Sequence, residues 1–146
     1  MGAISNYLAP DHQRCDDYFN QAEEAALRGE WDAAAASFDQ FLSAMNHHFT
    51  MEEEVLFPAF EQSTGNAAGP PRIMRMEHSQ MRELFESLRQ ALAAHNAQAY
   101  AGASETLLIL MQQHNLKEEQ MLYPMCDHML ARESANLIER MNALVH

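Results

Sequence analysis

Apolar residues recur at three- and four-residue spacing along most of the chain, the period of helices that bury one face. The pattern predicts a first helix over residues 10–28, with Pro10 in its first turn and Gly29 as its stop. A second begins after Asp32, a suitable N-cap, and carries Phe38, Phe41, Leu42, Met45 and Phe49 on one side until Pro58 kinks or ends it. Residues 63–70, rich in small and turn-forming types, read as a loop. The third helix spans 71–95, with Ile73, Met76, Met81, Leu84, Phe85 and Leu88 on its apolar side. The fourth follows Asn96, carries Leu107, Leu108, Leu110 and Met111, and reaches Pro124. A last short helix over 134–145 is expected to cross one end, and Trp31, opening the second helix, to cover an end as well. Short connections make neighbours antiparallel, so the expected fold is all-α: an up-down-up-down antiparallel four-helix bundle with a short C-terminal fifth helix.

The chain also repeats itself. An offset of 66 residues lays His12 on His78, His48 on His114 and Glu52 on Glu118. The same offset pairs Glu53 with Glu119, Leu56 with Leu122, Phe57 with Tyr123 and Pro58 with Pro124, and further upstream Phe19 with Phe85 and Met45 with Met111. The two halves read as pseudo-repeated helical hairpins stacked about an approximate two-fold axis.

Composition narrows the chemistry. A length of 146 residues suits a single domain, 1–146. The net charge of −12 leaves no basic stripe for phosphates or anionic lipid, so neither nucleic acid nor a membrane surface is an expected partner. The first ten residues lack the features of a signal peptide, and no apolar run is long enough to span a bilayer. Cys15 and Cys126 read as free thiols in a reducing compartment, which makes the expected location cytoplasmic.

The doubled motif H-x-x-x-E-E-x-x-L-[FY]-P, at His48–Pro58 and His114–Pro124, carries the chemistry. Residues four apart share a helix face, so each motif aims an imidazole and a carboxylate the same way, about 6 Å apart along the axis. One such spacing means little. Two in register, joined by His12 and His78, offer four imidazoles and two carboxylates. Inward-facing Glu52 and Glu118 would repel each other in a dry core unless cations lay between them. Such a donor set suits iron best, with manganese or zinc possible. By the same reading Glu53, Glu54 and Glu119 are solvated, though one could orient an imidazole. His47 is a rim residue, His95, His128 and His146 face solvent, Cys15 is buried and inert, and the methionines are packing residues.

With these residues in place, the chain from His12 through Pro124 resembles the hemerythrin or HHE cation-binding family. The resemblance implies a metal centre of two iron ions held by His12, His48, Glu52, His78, His114 and Glu118. Glu52 and Glu118 would bridge, His12 and His48 would cap one iron, His78 and His114 the other, and an oxo, hydroxo or water bridge would complete the pair. Respiratory members carry a further His one turn before His78, where this chain has Met74, a core residue rather than a ligand. Exchangeable positions at both irons would favour reactivity with oxygen, nitric oxide or hydrogen peroxide, as in hemerythrin-like proteins of nitrosative stress and iron-centre repair. Those relatives often carry an N-terminal cysteine-bearing domain that this sequence lacks. The alternative is a non-enzymatic module for oxygen binding, storage, or iron or oxygen sensing.

Overall fold

The computed structural model describes residues 2–144, so the expected helix end at Val145 and the solvent-facing reading of His146 lie outside it. The described residues are helical and contain no strand. Helix α1 (Ala3–Leu27) packs antiparallel to α2 (Trp31–Met51), and α4 (Pro70–Ala93) to α5 (Ala97–Lys117); α1 also meets α5, and α2 meets α4. After a π-helical turn at Glu52–Leu56, α2 continues as α3 (Phe57–Thr64). After a matching turn at Glu118–Leu122, α5 continues as α6 (Tyr123–Met129). The last helix, α7 (Ser134–Asn142), packs against α1 and the first π turn. No helix among the described residues is long and apolar enough to cross a membrane.

α2 starts at Trp31 with Glu30 at its cap position, so Asp32 lies in the first turn rather than capping it, and three further boundaries differ from expectation. α1 starts at Ala3, with Pro10 inside it, because a distant side chain replaces the missing local start signal. Asp127 of α6 accepts from the Ile4 and Ser5 backbone N–H at 2.8 and 3.2 Å and from the Ser5 hydroxyl at 2.5 Å. Burial of Ile4 and Leu8 holds the added turns down. Pro58 and Pro124 do not end their helices either. Each lacks an N–H and crowds the carbonyl four residues back, and a widened turn relieves both: Phe57 N–H donates to the Glu52 carbonyl, and Tyr123 N–H to that of Glu118, each five residues back.

Side chains of the core form two clusters. One, built on Phe19, Phe38, Phe41, Met81, Phe85 and Met111, fills the end with the α1–α2 and α4–α5 turns. The other gathers Ile4, Leu8, Leu56, Phe57, Met74 and Leu122 around the π turns. The buried stripe of α4 runs through Met74, His78, Met81, Phe85 and Leu88, which turns Ile73 and Met76 outward to 46 and 56% exposure, against expectation. Trp31 packs against the first cluster and stacks on His95 at 5.1 Å, covering the bundle end as expected. The same stack braces His95 at φ 50°, a left-handed conformation uncommon without glycine.

Candidate metal centre

Along each long rod, the polar residues fall between the two apolar clusters. His12 comes from α1, His48 from α2, His78 from α4 and His114 from α5, while Glu52 and Glu118 each open a π turn. All six are buried, and both glutamates completely so. The structure brings every one of them into a single polar layer.

Within that layer each carboxylate divides its oxygens between the two histidine pairs. Glu52 places Oε1 3.1 Å from His78 Nε2 and Oε2 3.3 Å from His48 Nε2. Glu118 places Oε2 3.2 Å from His114 Nε2 and Oε1 3.0 Å from His12 Nε2. The ring centroids are 4.9 Å apart in both pairs, His12–His48 and His78–His114. Yet Glu52 Oε1, Glu118 Oε2, His78 Nε2 and His114 Nε2 are buried without a hydrogen-bond partner. Unsatisfied groups of this kind cost several kcal/mol in total at about 1–3 kcal/mol each. Two groups among the described residues could hold a metal: Glu52, His78, His114 and Glu118, and His12, His48 and Glu118. In each, the donor atoms lie within 4.8 Å of one another. The set of converging, unsatisfied imidazole and carboxylate donors fits a metal ion, and iron suits the donors.

The outer nitrogens are equally ordered. Nδ1 of His12 donates to Glu119 at 2.6 Å, that of His48 to Asp11 at 3.2 Å, that of His78 to Glu53 at 2.6 Å and that of His114 to Glu77 at 2.8 Å. Because a carboxylate only accepts, each Nδ1 carries the proton, and a neutral ring then turns the lone pair of Nε2 inward. Cations anchor three of the carboxylates: Arg82 grips Glu53 at 3.0 and 3.1 Å, Arg14 meets Asp11, and Lys117 meets Glu77. Although burial alone would raise the Glu53 carboxyl, hydrogen bonds from His78 and Arg82 hold it down at about 2. Asp11 is lowered likewise, against its burial, and Glu77 chiefly by the bond from His114. Glu53 and Glu119 are therefore not merely solvated, whereas Glu54 is exposed. Asp11 and Glu77 escaped sequence reasoning, although they too are 66 residues apart, one before each of His12 and His78.

Among the positions that break the two-fold symmetry, three shape the flanks of the centre. Phe57 stacks near His78 at 5.7 Å and Tyr123 near His12 at 5.8 Å, so only one side gains a hydroxyl. Phe49 covers His78 at 3.9 Å, while its equivalent beside His12 is Asn115. The equivalent of Arg82 is Asp16. In consequence a cleft of about 260 Å³, lined by Asp16, Asn115 and Glu119, opens on His12. The remaining candidates are peripheral: His47 is half-buried, and His95 and His128 are exposed. Cys15 and Cys126 are buried free thiols, and burial pushes Cys15 up to about 11, so it is inert near neutral pH. Met74 is buried among apolar side chains.

An uncharacterized hemerythrin-like protein of Schizosaccharomyces pombe is 25% identical over 136 residues, which cover 92% of this chain. The chain spans 64% of that relative's length. No solved structure matches. The family model of the hemerythrin HHE cation binding domain matches residues 3–126, and the chain belongs to that family.

Proposed function

We infer that the chain is a cytoplasmic non-haem di-iron protein that binds or reacts with a small diatomic or peroxidic molecule. Its ligands are His12, His48, Glu52, His78, His114 and Glu118. The observation that carries this reading is the division of each buried carboxylate between two histidine pairs, which suits two ions bridged by Glu52 and Glu118. Paired buried carboxylates need that positive charge. Two ferrous ions held there supply electrons and exchangeable coordination positions to oxygen, nitric oxide or hydrogen peroxide.

The protein's own part is to hold and to screen. Asp11, Glu53, Glu77 and Glu119 fix the four imidazoles in the tautomer that aims Nε2 inward. The two apolar clusters close the layer along the bundle axis, and the His12 cleft admits a small molecule from the side.

The test uses anaerobic protein loaded with ferrous iron, with the metal counted and spectra taken before oxygen, after it, and after it is stripped away. Two irons per chain and a spectrum that responds to oxygen, nitric oxide or peroxide support the reading. A reversible coloured adduct selects carriage, storage or sensing; an irreversible ferric product selects a reactive site. Retention of two tightly bound irons in Glu52→Ala would refute the ligand assignment.

A further inference from the structure

We propose that the phenol of Tyr123 is a protein ligand of the iron held by His12 and His48, so that the two metal positions differ in their donors. The proposal rests on the di-iron reading. Tyr123 is completely buried, and its hydroxyl oxygen lies 2.6 Å from Glu52 Oε2, 2.9 Å from Glu118 Oε1, 3.1 Å from His48 Nε2 and 3.4 Å from His12 Nε2.

Once metal holds both imidazoles neutral with their Nδ1 protons turned outward, those four atoms are all acceptors. A phenol has one proton and can satisfy one of them at a time. A shared cation satisfies His12, His48 and Glu118, whose donor atoms lie within 4.8 Å of one another, together with the phenol oxygen. The spacing agrees: donors about 2.1 Å from one octahedral ion sit about 3.0 Å from their cis neighbours. Coordination replaces the O–H bond by an O–Fe bond, and the phenolic proton leaves to solvent.

Packing does not account for the hydroxyl. Phe57 sets its ring beside His78 at nearly the distance that Tyr123 keeps from His12, without any oxygen. The oxygen is an addition to one half of a repeated design.

The experiment counts iron in the whole chain after ferrous loading and oxidation, then records visible absorption and resonance Raman spectra. The wild-type protein is expected to show a phenolate-to-iron charge-transfer band with enhanced tyrosinate ring modes. Tyr123→Phe should keep two irons and its helical circular dichroism while losing band and modes. Phe57→Tyr should intensify them by supplying a second phenol beside His78. Two bound irons without tyrosinate modes, or modes that survive Tyr123→Phe, overturn the ligand alone. A chain that takes up no iron overturns the di-iron reading and this ligand with it.

Discussion

Glu53 and Glu119 hold equivalent places in the two repeats, and each accepts a 2.6 Å hydrogen bond from a histidine of the opposite repeat, His78 and His12 respectively. The hairpins are thus tied to each other through the groups that orient the metal ligands. The two ties differ in support. Arg82 fixes Glu53 with two contacts, whereas the Glu119 side chain is 43% exposed and has Asp16 where Arg82 would stand. Removing a carboxylate that orients a ligand imidazole weakens metal binding by about 10–100-fold. Glu53→Ala should fall toward the upper end of that range, and Glu119→Ala toward the lower, because water can replace an exposed partner. Competition with a graded chelator measures both, and an unchanged affinity in Glu53→Ala would sink the idea.

The start of α1 depends on Asp127 in the same physical sense as an N-cap, although the residue comes from another helix. Asp127→Ala should cost about 0.5–2 kcal/mol, the range for losing a capping side chain, read as a lower urea midpoint. Gly2 offers an independent check. A Cβ there would lie 2.3 Å from Asp127 Cγ, so Gly2→Ala must push the carboxylate off the helix start and destabilise the fold. Normal stability in both variants would mean that burial of Ile4 and Leu8 alone holds the helix beyond Pro10.

The bundle and the six inner residues were legible because each rests on short-range periodicity. Helical spacing fixes the faces, and the 66-residue offset shows that His48 with Glu52 and His114 with Glu118 are copies. What escaped depends on contacts between helices. No local signal announces that Asp127 will cap α1, or that Glu53 will turn from solvent toward His78. The π turns were signalled only by Pro58 and Pro124, which read locally as stops, since a proline ends a helix unless the backbone can widen around it. The repeat did contain more than was drawn from it. Asp11 and Glu77 match under the same offset, and the change from Phe57 to Tyr123 marks the half that carries an extra oxygen.

Removal of metal should invert the pH dependence of stability. In the chelated protein, burial works against charging the histidines, but Glu118, Glu77 and Glu52 outweigh it and push His114 up to about 10 from an ordinary 6.5. His48 and His78 are raised as well, against their burial, by Glu52 together with Asp11 and Glu53. A pKa raised by folding stabilises in full below the unfolded value and is lost as pH rises through the folded one. The chelated chain should therefore weaken steadily from about pH 6.5 toward 10. The iron-loaded chain holds its imidazoles neutral, so protons compete with metal and it should weaken as pH falls. Urea midpoints across that range, with and without chelator, should give curves of opposite slope. A flat curve for the chelated protein would show that its histidines are not held charged.

The unequal flanks of the centre predict where a small molecule enters. Phe49 lies flat on His78 at 3.9 Å and Arg82 sits over the Phe49 ring at 5.0 Å, sealing that side. Their equivalents beside His12 are Asn115 and Asp16, too small and too polar to seal, and the cleft is the result. Asn115→Phe should rebuild the seal by setting a ring against His12, leaving every proposed ligand untouched. Iron content should stay the same while reaction of the diferrous protein with nitric oxide, followed by stopped-flow absorption, slows by about tenfold, the effect of a barrier raised by about 1.4 kcal/mol. Phe49→Asn makes the reciprocal opening beside His78 and should speed entry from that side. Equal rates in all three proteins would mean that the ligand reaches the centre by a path other than the His12 cleft.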